Sequence, residues 1–176
     1  TRMLVQSSIY DHAVEIAAAK ADATKVDLPS NAGKHIGPLV SEAQFEKVQR
    51  LIQSGIDEGA RLVAGGVGRP EGINRGWFVK PTVFADAKKD MTIVREEIFG
   101  PVLALMPFND EEEAIALAND TPYGLAAYIQ TGDMGRARRV AAKLRAGMIQ
   151  VNGGSRAPGS PFGGYKQSGV GREGGF

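Results

Sequence analysis

The chain contains no cysteine. That excludes disulfides, thiolate metal sites and a cysteine nucleophile within these residues, and it fits a cytoplasmic protein. Histidine is almost as scarce. His12 and His35 stand alone, in no ligand spacing, so no metal centre is expected. No apolar run reaches the length of a membrane span and no signal-like start is present, so no membrane partner is expected. The formal net charge of +1 gives no electrostatic footprint for nucleic acid. No Gly-Lys-Ser/Thr triplet occurs, which excludes a P-loop. No internal repeat and no linker divides the chain, which reads as one domain over residues 1–176.

What is present is an ordinary globular composition, 43% hydrophobic and 23% charged, long enough for a real core. Arg2 to Gln6 reads as a strand that starts abruptly, with the expectation that something precedes it. Residues 10–23 carry Val14, Ala17, Ala18 and Ala21 at helical spacing. Ser41-Glu42-Ala43-Gln44 has the form of a capping box, in which Ser41 caps the backbone and Gln44 reaches back. The helix it opens places Phe45, Val48, Ile52 and Ile56 on one face, with Gly59 as its stop. Residues 61–64 read as a strand, 65–76 as a Gly-rich loop, and 78–84 as a strand near an edge because of Pro81. Asp90 is expected to cap a short helix that ends at Glu96-Glu97. Residues 102–106 read as a buried strand, and Asp110 opens a helix to about Asn119 with acids in its first turn. A strand over 125–130 follows, then a helix over 134–145 capped by Asp133. Ala137, Val140, Ala141 and Leu144 should face inward there, and Arg136, Arg138, Arg139, Lys143 and Arg145 outward. That basic face suits solvent or a subunit contact. Residues 148–151 form a last strand. Alternation of strand and helix predicts an α/β fold, a mostly parallel sheet with helices on both faces.

Residues 152–176 form a Gly-rich tail without periodicity. Gly169-Val170-Gly171-Arg172-Glu173-Gly174 matches G-x-G-x-x-G letter for letter, but a dinucleotide fingerprint must follow a strand and open a helix, and the chain ends two residues later. The tail reads instead as a loop that wraps a site, where glycine permits positive φ and close backbone approach.

The most informative stretch is Arg95-Glu96-Glu97-Ile98-Phe99-Gly100-Pro101-Val102. Gly-Pro breaks the chain direction, so the acids sit at the lip of the following strand. A carboxylate at such a lip can accept hydrogen bonds from two ribose hydroxyls, and a neighbouring phenyl ring can pack on a flat heterocycle. The competing reading is a helix end with solvated acids and a core phenylalanine.

Four segments together, Gly37-Pro38-Leu39-Val40-Ser41, Glu96-Glu97-Ile98-Phe99-Gly100-Pro101-Val102, Thr121-Pro122-Tyr123-Gly124-Leu125-Ala126 and Pro161-Phe162-Gly163-Gly164-Tyr165-Lys166-Gln167-Ser168-Gly169, resemble the aldehyde dehydrogenase superfamily in order and spacing. The resemblance implies the family's catalytic-domain fold and oxidation of an aldehyde to a carboxylic acid with NAD or NADP. In that chemistry a cysteine thiolate attacks the carbonyl, hydride leaves to the nicotinamide, and a glutamate-activated water hydrolyses the thioester. The family nucleophile precedes a Thr-Arg-x-Leu-Val strand, so Thr1-Arg2-Met3-Leu4-Val5 implies a chain that begins just after it, without the general-base glutamate, the cofactor domain or the C-terminal oligomerisation strand. By the same resemblance Glu97 holds the nicotinamide ribose, Phe99 and Leu125 lie near the nicotinamide ring, and Gln44 and Lys47 fall where ribose contacts occur. Asn152 and Phe162 match the loop that lines the aldehyde pocket, and Glu97 is expected on one rim with them. Arg156, between them, reads equally as a polar pocket residue or as a solvent-facing one. Gln44, Lys47 and Leu125 also suit an exposed helix face or a core. Two functions remain open. The first is part of a homodimeric or homotetrameric dehydrogenase, inactive alone; the second is a binding or assembly module that keeps the fold without the chemistry.

Overall fold

Four strands, β1 (Arg2–Gln6), β2 (Arg61–Ala64), β3 (Thr82–Ala85) and β4 (Val102–Phe108), make the sheet of the first of two units, Thr1–Asn109, in the order β1-β4-β3-β2. β1 and β3 flank β4 in parallel, and β2 runs antiparallel on the edge beside β3. This computed structural model describes residues 1–155 and 157–175; Arg156 and Phe176 lie outside the described residues, and so does the choice between the two readings of Arg156.

Helices cover both faces of this sheet. Helix α1 (Tyr10–Asp22) buries Tyr10 and Val14 against Val5, Ala64, Val83, Ala85 and Leu105. Side chains alternate along a strand, so Phe84 points the other way. Helix α2 (Glu42–Asp57) lies there, with Gly55 so close that a Cβ would come within 3.0 Å of both Phe84 Cζ and Ile93 Cγ2. The buried stripe of α2 is Val48, Leu51 and Ile52. Phe45 is only half-buried, because it packs beside Trp77 with the Arg69 guanidinium 4.7 Å from its ring centroid. The stop at Gly59 (φ +87°) is a Schellman turn: Gly59 N–H donates to Ile56 O (3.0 Å) and Ala60 N–H to Gly55 O (2.9 Å).

Three expectations need correction. Ser41 Oγ does accept from Gln44 N–H (3.2 Å), but the Gln44 side chain does not close the box; it reaches elsewhere. Residues 78–84 do not form one strand. Pro81 has no N–H to give a ladder, and pairing begins only at Thr82, whose N–H donates to Pro101 O (2.8 Å). Asp90 does not cap helix α3 (Thr92–Arg95); Thr92 N–H instead finds Glu58 Oε2 (2.7 Å), brought from the end of α2. The free donor is satisfied by a long-range carboxylate, which no local pattern announces.

One hydroxyl ties three elements together. Tyr10 Oη donates to Leu105 O (3.2 Å) on β4 and accepts from Asp86 N–H (2.6 Å) just past β3. Asp86, at φ +57°, in turn holds Arg61 Nε of β2 (2.7 Å). Burial pushes the Tyr10 phenol up, so the hydroxyl keeps the proton it donates.

The second unit, Asp110–Phe176, holds helix α4 (Glu111–Asn119), strand β5 (Ala126–Ile129), helix α5 (Met134–Lys143) and strand β6 (Met148–Val151). β5 and β6 pair in parallel. Asp110 and Asp133 cap the helices by accepting from Glu113 N–H (2.9 Å) and Arg136 N–H (3.0 Å). Of the expected inward residues of the α5 segment, only Ala137 is fully buried; Val140, Ala141 and Leu144 are half-buried. Arg136 and Arg139 of the basic face pair with Glu111 of α4, at 3.7 and 3.0 Å. In the tail, Phe162 and Glu173 exchange backbone bonds of 2.8 Å, and Lys166–Ser168 form a 3-10 turn. Among the described residues no helix is long and apolar enough to cross a membrane.

Tyr10→Phe removes a donor and an acceptor at once and leaves the Asp86 N–H short of a partner. Equilibrium denaturation is expected to show a loss of about 1–3 kcal/mol, against less than about 0.5 kcal/mol for the exposed Ile16→Ser on the same helix. The Arg139 guanidinium holds the Glu111 carboxyl below its ordinary value. A depressed folded-state value contributes stability above the unfolded carboxylate range and loses it as pH falls through the folded one. The small stability difference between the parent and Glu111→Gln should therefore vanish on titration from about pH 7 to about pH 3.

Candidate functional site

The chain leaves α3 and turns through residues 96–101 before entering β4. Ile98 is 1% exposed and plugs this turn into the core, which throws its neighbours Glu97 and Phe99 outward. Phe99 is 71% exposed. The reading of a core phenylalanine therefore does not hold. Its backbone lies at φ +58°, a left-handed conformation that costs a bulky residue about 1–3 kcal/mol. The next position favours glycine, because a Cβ at Gly100 would come 2.8 Å from Val48 Cγ2 of α2.

Three bonds from α2 hold this turn. Gln44 Nε2 donates to Ile98 O (2.9 Å) and to Phe99 O (3.1 Å). Lys47 Nζ donates to Glu97 O (2.8 Å). At about 1 kcal/mol each, and somewhat more for the ammonium, they match the cost of the strained residue. The structure thus brings Gln44, Lys47, Glu97 and Phe99 to one place, with the first two engaged on the backbone of the last two. An exposed carboxylate beside an exposed phenyl ring, on a turn fixed from behind, suits a ribose diol and a flat ring.

The same sheet edge receives the start of β1. Because β1 and β4 are parallel, Ala104 N–H donates to Thr1 O (3.0 Å), and the beginning of β1 lies beside the exit of the 96–101 turn. A cleft of about 350 Å³ opens there, lined by Thr1, Thr82, Gly100, Pro101 and Val102 among others.

In the second unit, Leu125 and Phe162 line one cleft of about 340 Å³ together with Gly163, Gly164, Arg172 and Glu173. Close backbone contact builds it. A Cβ at Gly147 would meet Gly163 O at 1.9 Å, and one at Gly163 would meet Gly171 O at 2.2 Å, so neither position admits a side chain. Arg172 Nη1 donates to Gly164 O (2.8 Å) and Gly171 O (2.9 Å), and its guanidinium lies 5.3 Å from the Tyr165 ring centroid. Asn152 is engaged elsewhere. Its Oδ1 accepts from Thr131 N–H and its Nδ2 donates to Thr131 O, both at 2.9 Å, which joins the ends of β5 and β6. Asn152 also stands at φ +51°, a conformation that asparagine tolerates.

Sequence reasoning did not anticipate Arg172, Ser168, whose Oγ accepts from Gly124 N–H (3.1 Å), or Lys166, whose Nζ donates to Asn119 O (2.7 Å) and Thr121 O (2.9 Å). The available signal was polar residues inside an aperiodic glycine stretch. Backbone groups there have no ladder, and side chains must satisfy them.

The aldehyde dehydrogenase family matches residues 1–176. A 3-succinoylsemialdehyde-pyridine dehydrogenase from a Pseudomonas species is 49% identical over 173 residues, which is 98% of this chain and 36% of that protein. A crystal structure of aldehyde dehydrogenase from Bartonella henselae superposes with a TM-score of 0.98 at 58% identity, covering 99% of this chain and 37% of that one. A mutant of aldehyde dehydrogenase C from Pseudomonas syringae, in complex with NAD+ and octanal, gives 0.96 at 47% identity, covering 99% and 36%. The chain thus spans little more than a third of the length of these relatives, and over that span it belongs to the aldehyde dehydrogenase family.

Proposed function

We propose that this chain serves an NAD- or NADP-dependent aldehyde dehydrogenase, oxidising an aldehyde to a carboxylic acid, as the part that orients the nicotinamide end of the cofactor. The observation that carries this reading is Phe99, exposed and held at φ +58° beside exposed Glu97. A strained, solvent-facing aromatic persists only where surrounding bonds impose it, and such residues cluster at ligand clamps. The cofactor, when bound, accepts the hydride. Glu97 is assigned to the ribose hydroxyls and Phe99 to the nicotinamide face. In the second unit Leu125 is assigned to the ring, and Phe162 with Asn152 to the aldehyde loop. Asn152 would act there through its hold on Thr131. The complex of the Pseudomonas syringae relative with NAD+ and octanal supports both ligand classes. A cytoplasmic homodimer or homotetramer is the assembly this reading implies for the whole enzyme.

The chain by itself should show no aldehyde-dependent reduction of NAD+ or NADP+ above a no-protein control, because thioester chemistry needs a thiol and none is present. Turnover in that assay would overturn the thiol mechanism. In a full-length enzyme that carries this segment, Glu97→Gln keeps the shape and one acceptor. It should slow single-turnover formation of reduced cofactor about ten- to a hundred-fold, as expected for loss of a charge-assisted bond. Glu96→Gln should leave the rate near that of the parent. An equal loss in both variants would mean that the wrong acid carries the role.

A further inference from the structure

We infer that Lys166 is a positioning residue for the aldehyde side of the site: its ammonium ties the 161–169 loop to the end of helix α4 and so sets the cleft between Leu125 and Phe162. This rests on the roles proposed above for those two residues. Lys166 stands at φ +55°. That conformation disfavours any residue with a Cβ, and the tail uses glycine for it elsewhere: Gly153, Gly159, Gly169, Gly174 and Gly175 are the other left-handed positions described after Asn152. A lysine among them points to work done by its side chain. Its Nζ donates to Asn119 O (2.7 Å), on the last residue of α4, and to Thr121 O (2.9 Å) just beyond. The last carbonyls of a helix lack partners four residues on and carry the negative end of its dipole, so a cation is the matching group. The far side of this contact is fixed. Asn119 Nδ2 donates to Lys143 O (2.9 Å) and its Oδ1 accepts from Arg145 N–H (2.7 Å), which locks the end of α4 to the end of α5. The residues around Lys166 continue the seam. Tyr165 N–H donates to Gly124 O (2.9 Å), Gln167 N–H to Pro122 O (3.0 Å), and Ser168 Oγ accepts from Gly124 N–H (3.1 Å). Four consecutive residues thus bond to residues 119–124, and of these four Lys166 is the one that reaches the helix. Leu125 follows one side of the seam, Phe162 precedes the other, and both line one cleft.

Two substitutions separate the tie from the backbone. Lys166→Met keeps most of the stem and removes the ammonium. Lys166→Gly removes the ammonium and also relieves the left-handed residue, so it is the variant least prone to misfold. Far-UV circular dichroism checks that both keep the fold. The first readout is fluorine NMR on this chain with 4-fluorophenylalanine at position 162. The parent should give one resonance, and each variant should shift or split it. The second readout is steady-state kinetics with octanal in a full-length enzyme that carries this segment. If the competent loop falls to about a tenth of the population, the aldehyde KM should rise about ten-fold, while the Kd for NAD+ stays within about two-fold of the parent. A merely destabilised enzyme would instead lose kcat at an unchanged KM. A parent-like resonance in either variant overturns the inference: in Lys166→Met because the ammonium then holds nothing, in Lys166→Gly because the backbone alone then places the loop. A shifted resonance with an unchanged aldehyde KM would uphold the tie to α4 and count against the assignment of Phe162 to the aldehyde alone.

Discussion

Gly55 lets α2 lie directly on Phe84 and Ile93, and the first unit's candidate site hangs from that contact. With a side chain there, the helix would have to withdraw from contacts already at 3.0 Å. Because it is close, Val48 meets Gly100, Gln44 and Lys47 reach the 97–99 carbonyls, and Glu58 arrives at the start of α3. One backbone approach thus sets a helix cap, a strained turn and the exposure of two side chains. The Tyr10 hydroxyl works on the opposite face, where it fixes β4 against the end of β3. The sheet that carries the turn is therefore braced from both sides.

The balance at Phe99 is between quantities of similar size. A left-handed bulky residue and an exposed ring both disfavour the observed conformation, by a few kcal/mol together. Three side-chain-to-backbone bonds and the burial of Ile98 favour it. A turn with so small a margin keeps its shape only while the helix behind it keeps its donors. The second unit solves a similar problem differently. Its cleft is made by glycines pressed against each other and by one arginine that gathers carbonyls, with little apolar burial to fix it. Asn152 does for β5 and β6 what Gln44 does for the turn, using a side-chain amide to satisfy backbone that has no ladder partner.

Much of the fold was legible because its signals are local. The Ala-rich period of α1, the Ser41 cap, the Gly59 stop and the acid-loaded start of α4 all lie within a few residues of what they control. The failures are long-range. Asp90 looked like a cap, but the helix found Glu58, 34 residues away. Pro81 looked tolerable in a strand, but ladder pairing starts only after it. Gln44 looked like a capping-box partner, and a distant turn competed successfully for its amide. At the site, the acid-aromatic-Gly-Pro stretch marked the right segment from sequence. The positive φ of Phe99 was not legible, since nothing local distinguishes an exposed strained phenylalanine from a buried relaxed one.

On the proposed function, the outward face of the Glu97–Phe99 turn meets the nicotinamide end of the cofactor. Photoaffinity labelling tests it most directly, with an aryl-azide analogue of the nicotinamide dinucleotide on a full-length enzyme that carries this segment, followed by peptide mapping. Label is expected on residues 97–99, and it should be lost on competition with unmodified cofactor. Competable label confined to other segments, with none on residues 96–101, would contradict it.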